Sequence, residues 1–590
     1  MPKYRRLILR LPAVVFLEIL NHAALGTTLY MEFFMKRLKM YLKVILLAIP
    51  TIWSPTSASA QTVTTYLAGV GPWAVAVNPV TNKVYVANHL TGITIIEGTG
   101  STTVASGTGY GYGPHAVVVN PVTNKIYVAN DVTDDVTVID GVTNASTRVK
   151  DSTATKPYGI AINTETNKIY VANYGSKSVT VIDGETNGTV TIPAGTNPWS
   201  VAVNPITNKV YVANSGSSDV TVINGITNVA TTVQVGTNPQ SVAVNPRTNK
   251  VYVANFASGT VTVIDGTSDI VATTVIVGGS LKAVAVNPVT NKIYVVGVNL
   301  SGTGSVFEID GLSDIVTATM TVGSGSQSVA VNPVNNKMYV ANATSNNVTV
   351  IIGAATYPYL TNTVDAGTEP SAVAVNMITN EVYVANNGSD NVTVIAETPV
   401  PATPLPTSIT PLPGNTTSST TPTFSMTATS STGSPVRSVY YQVDTTQGAW
   451  LTATPGGGFF SGTTPPLTTG THTLYAFATD GSDATSINTG SQSSPLIGAI
   501  TAYSFSVGGV PSPLKGDVNK DGVVNVFDAL LTLQYAVGLI AHTAANDALF
   551  LGTADVAPLN SSSGMPMGDS VVNVFDALAI LRHAVGLDKW

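Results

Sequence analysis

The run DVNKDGVVNVFD at 517–528 places oxygen-bearing side chains at its first, third, fifth, ninth and twelfth positions: Asp517, Asn519, Asp521, Asn525 and Asp528. Gly522 stands sixth, where such a loop must turn sharply, and Val523 stands seventh, where a backbone carbonyl serves as ligand. Hard oxygen donors at this spacing suit Ca²⁺. Three carboxylates in one short loop repel each other without a cation, so calcium is expected to order it. Aspartate stands at position twelve where glutamate is usual, and a helix is expected to follow over 529–539.

The unit recurs. VVNVFDALLTLQYAVGL at 523–539 returns as VVNVFDALAILRHAVGL at 571–587. Paired loop–helix units with terminal aspartate ligands at the C-terminal end resemble a dockerin module, over about 516–590 within a domain set at 509–590. That resemblance implies docking onto a cohesin-type module of a scaffold or surface protein. The second loop departs from the pattern. Asp569, Val571, Asn573 and Asp576 fit positions five, seven, nine and twelve, but Ser570 replaces the glycine. Position one must come from Asp555, across the insertion VAPLNSSSGMPMG. The pairs Val526-Phe527 and Val574-Phe575 are apolar at symmetric places. They either form the docking surface or hold the two helices together.

Catalytic chemistry finds less to work with. The chain has six histidines, none in a metal-binding pair at helical spacing, and no cysteine, so thiolate chemistry, disulfides and Cys-ligated zinc are excluded. Neither a GxSxG elbow nor a glycine-rich phosphate loop stands out. His89 and His115 are the two histidines whose surroundings bring them near one face of a repeat. That repeat must position whatever else the chain binds.

The stretch VNPVTNKVYVAN at 77–88 comes back as VNPVTNKIYVAN at 119–130, VNPITNKVYVAN at 203–214 and VNPRTNKVYVAN at 244–255. The tyrosines of its core fall at 85, 127, 170, 211, 252, 294, 339 and 383, spaced 41 to 45 residues apart. That period fits one four-stranded propeller blade. Each unit holds four strand-like pieces, such as WAVAVN (73–78), KVYVAN (83–88), VTVIDG (136–141) and ATTVQVG (230–236). Asn78-Pro79-Val80-Thr81-Asn82 is turn chemistry, since proline fixes φ and asparagine tolerates a left-handed backbone. The strands are apolar on both faces, as blades stacked face to face around an axis require.

These residues closely resemble the YVTN β-propeller repeat family, found in surface-layer and other exported microbial proteins, over about 61–396. The resemblance implies a propeller and no particular chemistry. Eight units carry pieces one to three, and the eighth lacks its fourth strand. The segment QTVTTYLAG (61–69) resembles that fourth piece and precedes the first unit. A strand from the N-terminus completing the last blade closes the ring and removes exposed edges. An eight-bladed ring over 61–397 is expected, with seven blades and a degenerate unit as the alternative. Unit six departs at Val296-Gly297, where the others carry Ala-Asn, so its second loop is expected to differ.

Within the array one position varies freely, at the start of each first strand: Trp73, His115, Tyr158, Trp199, Gln240, Lys282, Gln327 and Ser371. Residues after the second strand vary too (His89, Asp131, Tyr174, Ser215, Phe256, Asn387), and their loops are expected on the same face. Aromatic and polar side chains around a channel mouth suit a glycan or peptide ligand, with Trp73, His115, Tyr158, Trp199, Gln240 and Lys282 as candidates. The alternative is that the aromatics only cover the channel end.

The flanking regions set the context. MKRLKMYLKVILLAIPTIWSPTSASA at 35–60 runs from basic to apolar to the small-x-small pattern Ala58-Ser59-Ala60, an export signal that places the mature start near Gln61. Residues 1–34 read as an upstream extension or a start assigned too early, with Met35 as the true one. The apolar run is too short for a permanent membrane span. Residues 398–414, TPVPATPLPTSITPLPG, read as an extended Pro/Thr linker. Residues 415–508 read as short strands resembling a bacterial immunoglobulin-like sandwich, with Trp450 as its core aromatic. Charged residues make up only 10% with a net charge of −7, and no basic patch suggests nucleic acid. The expectation is a mostly β, exported or cell-surface binding and display protein tethered by its calcium module. The alternative is an extracellular carbohydrate-active enzyme, hydrolase or lyase, that uses the propeller as its catalytic domain.

Overall fold

Eight four-stranded antiparallel sheets follow one another through residues 61–397, two of them gaining a two-residue strand from further down the chain. The computed structural model describes residues 61–104, 113–353, 359–397, 405–430, 435–446, 449–480, 486–487, 491–492, 496–508, 518, 526–536 and 580–581. In blade one the strands are Pro72–Asn78, Lys83–Asn88, Gly92–Glu97 and Gly100–Val104, in that spatial order. The first strand of each sheet packs against the first strand of the next, and the eighth against the first. Eight blades therefore form a closed β-propeller with these first strands innermost. Valine, isoleucine and alanine fill both faces of the inner three strands, and the repeated tyrosines are buried between adjacent blades. The fourth strands are largely exposed, which fits their weaker apolar pattern.

The repeated motif is explained by a ring of asparagines. The last residue of each inner strand donates its amide to the turn asparagine of the next blade: Asn78 to Asn124, Asn120 to Asn167, Asn163 to Asn208 and Asn204 to Asn249. The series continues from Asn245 to Asn291, Asn287 to Asn336 and Asn332 to Asn380, and Asn376 closes it on Asn82 of blade one. The turn asparagines hold φ between 51° and 59°, a left-handed conformation that asparagine tolerates better than most residues. In six blades the lysine that follows reaches the next blade as well, for example Lys125 Nζ to the Gly184 carbonyl at 2.8 Å. NPxTNK is thus an inter-blade clasp.

In seven blades a second asparagine closes the second strand and ties its blade internally, as in Asn130 Nδ2 to Thr137 Oγ1 at 2.8 Å and Asn214 Nδ2 to Thr221 Oγ1 at 2.8 Å. Blade six loses both partners together, with Gly297 in place of the asparagine and Phe307 in place of the threonine. Its second strand, Lys292–Val298, runs one residue longer than the six of the others. A Cβ at Gly297 would meet the Ser280 carbonyl at 2.2 Å, so only glycine permits that extension.

Strand Gln61–Leu67 pairs antiparallel with Asn391–Glu397, in register from Gln61 opposite Glu397 to Leu67 opposite Asn391. The N-terminal strand completes blade eight. Glu397, 1% exposed, accepts a hydrogen bond from Gln61 Nε2 at 2.8 Å and is also held by Lys337 of blade seven.

Residues 405–508 build two further sheets around a shared core of Leu405, Ile409, Phe424, Met426, Val439, Tyr441, Leu474 and Phe505. The expected linker differs from what is found. Thr407–Ile409 forms a strand paired with Thr423–Ala428, and Leu405 and Ile409 are core residues. Proline spacing masked an apolar pair that suffices to anchor an edge strand. Trp450 is buried, but with Tyr440, Phe477 and Ile497 it packs on Val80 and Val122 of the propeller turns rather than in the module's own core. Its backbone amide donates to the Val122 carbonyl at 2.7 Å. Ser438 Oγ donates to Glu165, and Arg437 lies 3.9 Å from the same carboxylate. The second β-module therefore sits on the turn face of the ring. From it, Ser486–Ile487 pairs with the inner strand of blade three and Ser491–Gln492 with that of blade seven.

Near the C-terminus, Val526–Ala536 is an α-helix. It starts three residues before the expected 529, because Asp528 in the first turn favours a helix N-terminus. Among the described residues no helix is long and apolar enough to cross a membrane.

Candidate functional site

Each inner strand begins with an irregularity. In every blade the ladder between first and second strands slips at one residue: between Pro72 and Ala74, Pro114 and Ala116, Pro157 and Gly159, and Pro198 and Ser200. The same slip falls between Pro239 and Ser241, Leu281 and Ala283, Ser326 and Ser328, and Pro370 and Ala372. The residues left out of the ladder are Trp73, His115, Tyr158, Trp199, Gln240, Lys282, Gln327 and Ser371. These are the freely varying positions of the sequence. A β-bulge re-aims its side chain and asks nothing of it in the ladder, so each blade can carry a different side chain there beside the channel.

Blades one to four carry rings there, and the structure brings them together. Trp73 and His115 have centroids 5.6 Å apart, and Tyr158 and Trp199 4.5 Å apart; His115 lies directly against Tyr158. Residues after the second strands join the arc from the same face. His89 stands 6.3 Å from Trp73, and Tyr174 stands 5.6 Å from Tyr158 and 5.8 Å from Trp199. His89 and His115 thus both contact Trp73. The result is a crescent of tilted rings on half of the mouth.

The other half is polar. Trp73, Gln327, Thr344, Asn346, Thr368, Glu369, Ser371 and Asn387 line a cavity of about 610 Å³, within the range of small-ligand sites. Gln240 is partly exposed on blade five. Lys282 on blade six holds its ammonium 5.1 Å from the centre of the Phe256 ring, a cation–π contact. Among the described residues no carboxylate forms an ion pair with it, and burial lowers its pKa.

His115 is the most constrained member. It is 3% exposed, and burial pushes it down to about 3, against the hydrogen bond to the Tyr158 carbonyl, with His89 adding to the fall. A carbonyl only accepts, so Nδ1, at 3.2 Å from it, carries the proton. The neutral ring then leaves Nε2 as a bare acceptor, buried with no partner among the described residues, as is Trp73 Nε1. Buried polar atoms left unpaired are rare and point to a missing partner. Beside them, His89 Nδ1 lies 4.0 Å from Asp131, whose pKa burial raises.

Of the expected calcium ligands, Asp528 is described. It is fully buried and its Oδ1 accepts from the Val518 amide at 2.9 Å, so it faces back into the preceding loop. That orientation fits a twelfth-position ligand. Asp517, Asn519, Asp521, Val523, Asn525, Asp555, Asp569, Val571, Asn573, Asp576, Val574 and Phe575 lie outside the described residues, as do the side chains of Val526 and Phe527. Among the described residues no three His, Asp or Glu side chains gather as a metal site.

No protein-family model and no curated protein matches this sequence. Among solved structures, hydrazine synthase of Kuenenia stuttgartiensis is similar over 50% of this chain and 99% of its own, at 21% identity and a TM-score of 0.43. Virginiamycin B lyase of Staphylococcus aureus is similar over 57% of this chain and 99% of its own, at 9% identity and a TM-score of 0.39. At such values nothing about activity follows from either.

Proposed function

We propose that this chain is an exported, non-enzymatic binding and display protein whose YVTN-type propeller captures a glycan at the bulge-lined mouth. The single observation that carries the reading is the bulge at the same place in all eight blades, with rings on four consecutive ones. Ring faces around a concave site suit the apolar faces of sugars, and the neighbouring amides and hydroxyls suit their hydroxyl groups. Glu369 is the one carboxylate among the described residues lining the cavity.

The remaining modules are read in the same way. An immunoglobulin-like sandwich carries the ring, and the C-terminal domain acts as a dockerin-like module that binds Ca²⁺ through Asp517, Asn519, Asp521, Val523, Asn525 and Asp528. Calcium would supply the folding of that module, which then engages a cohesin-type partner at the cell surface. The buried, inward-facing Asp528 supports this. The test is a glycan-binding screen of the mature chain beside the variant Trp73→Ala, Tyr158→Ala, Trp199→Ala. Each ring should contribute on the order of 1 kcal/mol or more to binding. A triple variant that binds every captured glycan as well as the parent would end the proposal.

A further inference from the structure

We infer that the seam between blades eight and one is a pocket for a lysine side chain supplied by a partner polypeptide. It lies apart from the mouth and does not rest on the glycan-binding reading.

The first support is a break in the inter-blade clasp. The residue after the turn asparagine is lysine in seven blades, at 83, 125, 168, 209, 250, 292 and 337, but in the eighth it is Glu381. In five blades that ammonium donates to the glycine carbonyl just past the third strand of the next blade. Lys168 Nζ reaches Gly225 at 3.2 Å, and Lys209 Nζ reaches Gly266 at 2.8 Å. The matching carbonyl in blade one is that of Gly98, and blade eight sends it no lysine. It accepts instead from Tyr66 Oη at 3.2 Å, which leaves it a second lone pair.

The second support is a cavity at that place. About 220 Å³ opens between the two blades, with Glu381 and Gly98 both on its wall. That is room for several waters at about 30 Å³ each, and so for one side chain. Val84 and Ile96 of blade one and Val394 and Ala396 of blade eight give it apolar sides. A lysine stem packs along such sides while its charged head meets oxygen. Thr62, Thr64 and Gly98 on the same wall are exposed, so the cavity is reached from solution.

The third support is the carboxylate itself. Thr379 Oγ1 and Tyr383 Oη both donate to Glu381 Oε2, at 2.8 and 2.7 Å, and Oε1 has no partner among the described residues. Other carboxylates of the ring lack a cation too. What distinguishes Glu381 is that it stands in the slot a lysine fills elsewhere, in a cavity shared with the unmatched Gly98 carbonyl. Both groups only accept, so the ligand must donate, and a positively charged donor gains most from a carboxylate. A metal ion would ask for several oxygen ligands in one sphere, where this pocket brings a single carboxylate.

The test uses two capped amino acids, Nα-acetyl-lysine N-methylamide and Nα-acetyl-norleucine N-methylamide, which share a four-carbon stem and differ in the ammonium. Each is titrated, in chelator, into a chain starting at Gln61 and followed by ligand-observed NMR. The lysine compound should bind roughly tenfold more tightly, as a charge-assisted contact does, and its advantage should shrink with salt. Glu381→Gln, which keeps the shape, should erase the difference. Glu381→Lys should supply the eighth ammonium from within, melt no lower than the parent and lose the lysine compound. Equal binding of the two compounds, binding of neither, or a preference that survives Glu381→Gln overturns the inference. A Glu381→Lys variant that melts lower or still binds overturns it too. None of these outcomes touches the glycan reading, because Trp73, Tyr158 and Trp199 are unaltered throughout.

Discussion

Removing Gln61–Leu67 tests how the ring is closed. The strand contributes seven residue pairs to blade eight. Net hydrogen-bond gains of roughly 1 kcal/mol each are about matched by ordering seven residues at roughly 1–2 kcal/mol apiece. The ladder alone therefore decides little. What remains is Tyr66, partly buried against the cluster shared by blades eight and one, and the Gln61 amide on the buried Glu397 carboxylate. Together these amount to about 2–4 kcal/mol. For a chain of this size that is a fall of a few degrees in Tm.

The larger consequence is the edge left behind. Asn391–Glu397 reads NVTVIAE, with Val392, Val394 and Ile395 buried, and would present seven residues of unpaired backbone. Such an edge recruits other strands. A chain starting at Gln61 and a version starting at Ala68 would be compared by calorimetric melting and by light scattering across a concentration series. The shortened chain should melt a few degrees lower and associate as concentration rises. Equal melting with both chains monodisperse would refute closure by this strand.

Three further outcomes are expected. Asn249→Ala removes the acceptor for Asn204 and leaves at φ 53° a residue that tolerates the left-handed region less well than asparagine, costing about 2–3 kcal/mol in denaturant melts; Asn249→Gly, which keeps the turn, costs about 1. His115, held at about 3 when folded against 6.5 unfolded, contributes stability that is complete above pH 6.5 and lost as pH falls towards 3. Relative to His115→Gln, the parent should therefore lose about 2 kcal/mol between pH 8 and pH 5, and parallel pH profiles would count against a buried neutral ring. Calcium added to the mature chain should raise helicity and stabilise the C-terminal domain, and Asp517→Ala with Asp521→Ala should abolish both; helicity indifferent to chelator would end the calcium reading.

Much of this architecture could be read from residue patterns because one unit is written eight times. Periodicity located the blades, turn chemistry located Asn82 and its equivalents, and the spare strand at 61–69 located the closure. The bulges were visible only indirectly, as a variable residue just ahead of an apolar run and, in six blades, just after a proline. Nothing in a one-dimensional pattern says that the ladder slips there. The strand at Thr407–Ile409 was hidden by its prolines, since two buried side chains are too few to show a period. Trp450 was legible as buried, but its partners Val80 and Val122 belong to another module. A contact of that kind depends on shape rather than spacing.

The repeat also explains why the mouth can be asymmetric. Every blade meets its neighbour through the same asparagine clasp, which leaves the bulge residues out. A side chain outside the ladder and outside the clasp changes at small cost to the fold. Blade six shows the limit of that freedom, since its glycine and phenylalanine alter the internal tie and lengthen a strand. Elsewhere the eight bulges are free to diverge, and they have done so in order, with rings on blades one to four and amides, an ammonium and a hydroxyl on five to eight. Drift under no constraint has no reason to segregate rings from polar groups around a circle. A ligand held by stacking on one half and by hydrogen bonds on the other, as proposed above, would give it one.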